Sequence, residues 1–164
     1  MKKLATIFCF VVIWCAVSAS AEEAKIGFIK NASGQAFISR GQVLIPAKEN
    51  INLLVTDDLI TGADGSLGVI FQDNSVLSLG PKSHISLSKF SFDPVEKKLS
   101  FVAKIQKGTL VYLTGLIAKL NHNAVRFETP TAVCGVRGTH FAIKVDPFGD
   151  DACSNECDNP VKND

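Results

Sequence analysis

Short stretches with an apolar residue at every second position follow one another along most of the chain. Leu67, Val69 and Phe71 form one such stretch, and Phe141 and Ile143 begin another. This period predicts half-buried strands, and no stretch after residue 21 keeps the period of an amphipathic helix. Turn-forming clusters separate the stretches about every 8 to 10 residues in the middle of the chain, as in β sandwiches, barrels and rolls. The pattern predicts an all-β single domain of short antiparallel strands, coiled into a β-roll or β-helix-like structure or folded as a jelly-roll sandwich.

The second half of the chain contains longer apolar stretches. Residues 99–105 alternate, Lys107-Gly108 predicts a turn, and the apolar run Leu110–Leu113 predicts a strand that is covered on both faces. Leu116–Leu120 fits either one helical turn or a short strand. From Phe148 onward the chain has too few apolar residues to fold alone, which predicts a polar tail.

Residues 1–21 have the three parts of a Sec-type signal peptide. Lys2 and Lys3 supply the positive start, Leu4–Val17 is an apolar run, and Ala19-Ser-Ala21 offers the small residues of a cleavage site. We therefore predict cleavage after Ala21 and a periplasmic or secreted mature protein. An uncleaved anchor is the alternative, but the run is short for a bilayer and has no charged stop-transfer flank.

A lipid anchor is a further alternative. Phe8 precedes Cys9 and Trp14 precedes Cys15, whereas a lipidated cysteine follows a small residue, so we reject a lipoprotein. The predicted organisation is a signal peptide at 1–21, a β domain at 22–147 and a polar, cysteine-containing tail at 148–164. We expect no stable membrane insertion after cleavage.

The charge balance gives no reason to expect a nucleic acid as partner. Lys2 and Lys3 leave with the signal peptide, so the mature chain carries one more acidic than basic residue. A near-neutral chain of this kind lacks the basic excess of nucleic-acid and anionic-membrane binders.

Three cysteines remain in the mature chain: Cys134, Cys153 and Cys157. In an oxidising compartment an odd number leaves one thiol unpaired or bonded to a partner. Only three residues separate Cys153 from Cys157, so a local disulfide is possible there. Such a bridge would clip the tail and add little to global stability, because the loop is short.

The segment Glu128–Val145 is the most informative motif of the chain. It begins with a turn at Thr129-Pro130, and Gly135 and Gly138 permit a sharp bend that carries Arg137 before the last alternating strand. This segment resembles the signature of the FecR domain, the extracytoplasmic domain of ferric-citrate-type regulators. In that signature Thr-Pro-Thr-Ala leads into Val-Arg-Gly-Thr and then into a strand.

Other segments between residues 34 and 145 resemble the same family in the same order. Phe71-Gln-Asp-Asn-Ser75 is similar to a Phe-x-Asp-Gly-Ser hairpin, and Asn74 suits the glycine position because asparagine tolerates a positive φ. Thr56 stands in an earlier turn where a glycine would be usual. The residues that we assign to a structural signature are Thr129, Pro130, Gly135, Gly138, Asp73 and Gly108.

The resemblance implies a fold more firmly than a function. Membrane regulators of this family add a cytoplasmic anti-sigma segment and a transmembrane helix, and neither fits this chain, so the sigma-regulating role is not carried over. Free-standing exported domains also occur in the family. We expect a non-enzymatic FecR-like module that recognises an envelope protein in signalling or envelope organisation. A cell-wall or surface glycan as ligand and a purely structural envelope role are the alternatives.

Arg137 and Thr139 are the candidate binding residues. The guanidinium of an arginine at a glycine-flanked bend would reach a carboxylate of a partner or ligand. In the structural alternative, Arg137 folds back onto Glu128, Asp73 or turn carbonyls and braces the bend.

Neither a catalytic site nor a metal site is expected. Cys134 and His140 lack an acid or amide partner of recognisable pattern for nucleophilic catalysis, and together with the tail cysteines they lack zinc-knuckle spacing. The acidic turn residues do not follow a calcium-loop pattern. They are Asp57, Asp58, Asp64 and Asp73. No cofactor is predicted.

Overall fold

The computed structural model describes residues 24–136, 140–146 and 152–154. These residues form thirteen strands and one short helix. The strands are β1 Lys25–Ser33, β2 Ala36–Arg40, β3 Val43–Pro46, β4 Asn52–Leu54, β5 Asp58–Thr61, β6 Ser66–Phe71, β7 Val76–Leu79, β8 His84–Asp93, β9 Lys98–Leu113, β10 Val125–Glu128, β11 Val133–Gly135, β12 His140–Val145 and β13 Ala152–Ser154, and the helix α1 is Leu116–Leu120.

The strands form one sheet that curls into a half-barrel. The strand order is β3-β2-β5-β8-β9-β7-β6-β1-β4, and β9 also pairs with β10 and β12. Residues 98–107 of β9 pair with β8, whereas residues 108–113 pair with β7 and β12. Strand β9 therefore joins the two halves of the sheet. The predicted all-β fold of short, mostly antiparallel strands is confirmed.

The predicted turn at Lys107-Gly108 is wrong. Strand β9 is 16 residues long and runs through both of these residues. It bends at Gly108, where φ is +102°. A Cβ atom at this glycine would lie 2.2 Å from the Ser83 Oγ atom and 2.4 Å from its Cα atom. Glycine is required here both by the backbone angle and by the close approach of Ser83, so the same residue that suggests a turn allows a long strand to change direction.

The prediction that Leu110–Leu113 is covered on both faces is also wrong. Leu110 and Tyr112 are fully buried, but Val111 and Leu113 remain 41% and 37% exposed. The half-barrel has a single layer at this point, so only the inward-facing positions of β9 reach the core.

Aromatic rings connect the two halves of the sheet through the core. Phe71 contacts Phe101, which contacts Tyr112, and the row continues to Phe127 and Phe141. Neighbouring ring centroids in this row are 4.9–5.6 Å apart, a normal distance for stabilising aromatic pairs. Because the rings come from β6, β9, β10 and β12, the core holds together strands that are far apart in sequence.

Helix α1 explains why β10 lies parallel to β9. Val125 of β10 is in register with Phe101 of β9, and two parallel strands need a connection that crosses over. Leu116–Leu120 forms one helical turn, with Ile117 and Ala118 buried, and carries the chain back between the two strands. The helical alternative for this segment is therefore the right one.

Candidate functional site

Asp73 lies inside the protein and links the β6–β7 hairpin to helix α1. Its carboxylate accepts hydrogen bonds from the Ser75 hydroxyl at 2.6 Å, from the Ser75 amide at 3.1 Å and from the Ile117 amide at 3.3 Å. The Asp73 carbonyl accepts from the Leu116 amide at 2.8 Å. An anionic acceptor at the start of a helix satisfies free amides and stabilises that end. Asp73 is thus engaged in holding the fold.

Gly115 lets helix α1 approach this hairpin. A Cβ atom there would lie 2.4 Å from the Asp73 carbonyl oxygen and 2.5 Å from the Ser75 nitrogen. At the tip of the hairpin, Asn74 has a φ of +62°, in agreement with its position in the motif. Thr56 has a φ of +76°, which is why a glycine would be usual at that turn.

Arg40 and Asp57 form a salt bridge that the sequence did not reveal. The guanidinium donates from Nε to Oδ1 and from Nη2 to Oδ2, both at 2.8 Å, and also donates to the Asn52 carbonyl at 2.9 Å. Asp57 is fully buried and accepts a further hydrogen bond from the Leu54 amide at 2.9 Å. This two-point contact fastens β2 to the turn between β4 and β5.

The only tyrosine of the chain, Tyr112, is buried beside Asp73 and Ser75. Burial raises the pKa of its phenol far above the usual value, and the Asp73 carboxylate adds to the rise. The nearby Ser75 side chain and Gly115 backbone act in the opposite direction. No hydrogen bond of normal geometry to the Tyr112 hydroxyl occurs among the described residues. A neutral phenol in this position is a packing residue of the core.

We expect Tyr112 to ionise only when the protein unfolds in alkali. Because its pKa is raised in the fold, the stabilisation is fully present below about pH 10, the ordinary pKa of tyrosine, and is lost as the pH rises further. Phenolate absorbance reports this residue alone, because the chain has a single tyrosine. The absorbance should rise together with the loss of circular dichroism. Phenolate that forms near pH 10 in a protein with intact dichroism would contradict the buried position.

An open cleft of about 510 Å³ lies where the ends of β5 and β12 meet the turn before β8 and the bend of β9. Three lysines line it, namely Lys82, Lys107 and Lys144, and we call it the lysine cleft. The Lys144 ammonium is 3.0 Å from the Asp146 carboxylate. Lys82 and Lys107 form no ion pair with any of the described residues. Among the described lining residues, positive charge therefore exceeds negative charge.

Buried hydroxyl groups fix the turn that carries Lys82. The Thr61 hydroxyl donates to the Gly80 carbonyl at 2.7 Å and accepts from the Ser83 amide at 2.9 Å. The Ser83 hydroxyl accepts from the Thr109 amide at 3.1 Å. Thr61 and Ser83 are 4% and 0% exposed, so water does not compete for these bonds. The turn is held against both β5 and β9.

The residues predicted from the signature segment fall partly outside this description. Arg137, Gly138 and Thr139 lie outside the described residues, so their binding and structural interpretations stay predictions. Thr129 closes its predicted turn, because its hydroxyl accepts from the Ala132 amide at 3.0 Å and its amide donates to the Ala132 carbonyl at 2.8 Å. Pro130 lies within that turn and is exposed.

Cys134 and Gly135 lie on β11, and His140 begins β12. Cys134 is disulfide-bonded, so its sulfur serves neither as a thiolate nucleophile nor as a zinc ligand. The side chains of Cys153 and Cys157 lie outside the described residues, and their predicted bridge stays a prediction; a bond from Cys134 to either one would replace it.

The acidic turn residues have separate partners. Asp57 binds Arg40, Asp58 lies 3.7 Å from the His84 ring, and Asp64 accepts from the Gln35 amide at 3.3 Å. Among the described residues, no group of three or more His, Cys, Asp or Glu side chains is arranged to hold a metal ion. In the same part of the chain, no helix is long and apolar enough to cross a membrane.

Fold and site together define a class of protein: a curled all-β module with buried polar turns and an open cleft lined by lysines. The family model named FecR protein matches residues 57–154, more than half of the chain, and the chain belongs to the FecR family. The predicted family is thereby confirmed, and membership indicates a signalling-related domain of a generally envelope-associated family. No curated protein and no solved structure matches the chain significantly.

Proposed function

We propose that the protein is an exported, non-enzymatic module that recognises another protein of the cell envelope. Membership of the FecR family supports a role in signalling, and the signal-peptide pattern of residues 1–21 supports export. The partner would meet the module outside the cytoplasm, as a periplasmic or secreted protein.

The observation that carries this proposal is that the buried polar side chains form hydrogen bonds within the fold. Asp57 and Asp73 are buried and bonded within the fold, and so are Thr61 and Ser83. Catalysis needs a nucleophile or base that can reach a substrate. The lysine cleft presents accessible ammonium groups, which suit the recognition of carboxylates on a partner.

Chemical cross-linking in intact envelopes tests the proposal. The tagged protein should yield one stoichiometric adduct with another envelope protein, and the same tag on an unrelated exported protein should not. Sedimentation with purified peptidoglycan, without a protein adduct, would instead support the glycan alternative. Absence of both adduct and sedimentation would leave the structural role and reject the proposal.

A further inference from the structure

We propose that the lysine cleft binds an acidic peptide segment of the partner, one that carries carboxylates beside apolar side chains. This inference rests on the proposed function, because it names the chemistry by which the module would recognise an envelope protein. It concerns Lys82, Lys107 and Lys144, and it leaves Arg137 aside.

Local charge is the first argument. Among the described lining residues, three ammonium groups face one carboxylate, that of Asp146, although the chain without residues 1–21 has one more acidic than basic residue. Of the three lysines, Lys144 alone forms an ion pair with a described residue, Asp146, at 3.0 Å. A cleft that concentrates one sign of charge attracts the opposite sign, and a segment with several carboxylates matches it.

Rigidity of the backbone is the second argument. Lys82 has a φ of +55°, and its amide donates to the Gly62 carbonyl at 2.8 Å, so the turn holds it in an unusual conformation. Lys107 directly precedes the bend of β9 at Gly108. Lys144 is in register with Thr109 on the neighbouring strand. The three Cα positions are therefore fixed before binding, and only side-chain freedom is lost when a ligand arrives.

The lining of the cleft favours a peptide over a glycan. Gly62, Ala63, Pro81 and Val145 contribute small apolar groups, and no aromatic side chain is present among the described lining residues. A sugar ring presents many hydroxyl groups that need both donors and acceptors, and Asp146 is the one charged acceptor among these residues of the described lining. A volume of about 510 Å³ accommodates a few amino-acid side chains.

Fluorescence anisotropy with two labelled peptides tests the recognition. One probe alternates glutamate with leucine, and the other has glutamine in place of each glutamate. The mature protein should bind the glutamate peptide at least about tenfold more tightly, and raising the salt concentration should weaken this binding. Equal binding of the two peptides would overturn the inference.

Charge-reversal variants then locate the binding site. Lys82→Glu/Lys107→Glu should weaken binding of the glutamate peptide by about tenfold or more. Lys30→Glu/Lys48→Glu makes the same change of net charge at two exposed positions outside the cleft and should leave binding unchanged. If the cleft variant melts early, Lys82→Gln/Lys107→Gln replaces it. Equal loss in the cleft and control variants would reject a specific site. Displacement of the peptide by polygalacturonate at comparable carboxylate concentration would assign the cleft to an acidic glycan and overturn the peptide.

A photoreactive residue separates failure of this inference from failure of the proposed function. Placed at Ala63, an exposed residue that lines the cleft, it should form the partner adduct in intact envelopes, and placed at Val95, which is 91% exposed in the β8–β9 turn, it should not. If general cross-linking captures a partner but Ala63 does not, the cleft is the wrong surface and the proposed function stands. If nothing is captured by either method, the proposed function itself fails.

Discussion

Replacing Arg40 with methionine is expected to lower the free energy of unfolding by about 3 kcal/mol, because it leaves the buried Asp57 carboxylate without its cation. Both Asp57 oxygens accept from the guanidinium at 2.8 Å, and the Asp57 side chain is 1% exposed. Methionine retains much of the length of the arginine stem, so the loss reports charge and hydrogen bonds more than a cavity. Urea denaturation of the protein that begins at Glu22 measures this change.

Lys98→Met is the matched control for this change. Lys98 pairs with Glu96 at 2.5 Å, but both side chains are well exposed, and we expect a change below about 0.5 kcal/mol. The double variant Arg40→Met/Asp57→Leu should regain part of the lost stability, since it also removes the buried carboxylate that Arg40→Met leaves without a cation. If Arg40→Met were as mild as Lys98→Met, water would have to reach Asp57 and the buried pair would not hold β2 in place.

The strands were predicted well because, within each strand, apolar residues occupy the buried positions and polar residues the exposed ones. Phe141, Ile143 and Val145 alternate in the sequence, and all three are buried on β12. The turn at Asn74 was predicted from residue type and from the resemblance to a family hairpin, since asparagine is one of the few residues that tolerate a positive φ. The helical turn at Leu116–Leu120 was one of two alternatives, because five residues are too few for a period to distinguish them.

Predictions failed where the partner of a residue is distant in sequence. Gly108 reads as a turn until Ser83, 25 residues earlier, is known to fill the space beside it. Arg40 and Asp57 are 17 residues apart in sequence. Neither Arg40-Gly nor Asp57-Asp has a local pattern that predicts a contact between them. The two residues meet because Arg40 ends β2, Asp57 directly precedes β5, and β2 pairs with β5. Neither the local spacing of apolar residues nor the composition predicts contacts between residues that are distant in sequence.

The lysine cleft could not have been predicted for the same reason. Lys82, Lys107 and Lys144 come from a turn and two strands, and each taken singly reads as an ordinary solvated lysine. The hydroxyl groups of Thr61 and Ser83 bring the first of these elements against the second, and the pairing of β9 with β12 brings the third. Thr61 and Ser83 thus build the support of the cleft, whereas its positive charge comes from lysines that lie beside them only in the folded chain.

Gly108→Ala is expected to destabilise the protein by about 3 kcal/mol, which corresponds to a fall in melting temperature of about 10 °C for a domain of this size. The residue has a φ of +102°, and the new Cβ atom would lie 2.2 Å from the Ser83 Oγ and 2.4 Å from the Ser83 Cα. Since Ser83 is buried and its hydroxyl binds the Thr109 amide, neither side can move away without breaking the support of the cleft.

Gly41→Ala separates the cost of the positive φ from the cost of the clash with Ser83. Gly41 also has a positive φ, +61°, but a Cβ atom there would have nothing within 4 Å, so only the backbone cost of about 1 kcal/mol applies. Thermal melts of both variants followed by circular dichroism give the comparison. Because Lys107 and Thr109 flank Gly108, we also expect Gly108→Ala to weaken binding of the glutamate peptide while Gly41→Ala does not. Equal melting temperatures for the two variants would mean that β9 can relax at its bend, and that Ser83 does not fix the geometry of the lysine cleft.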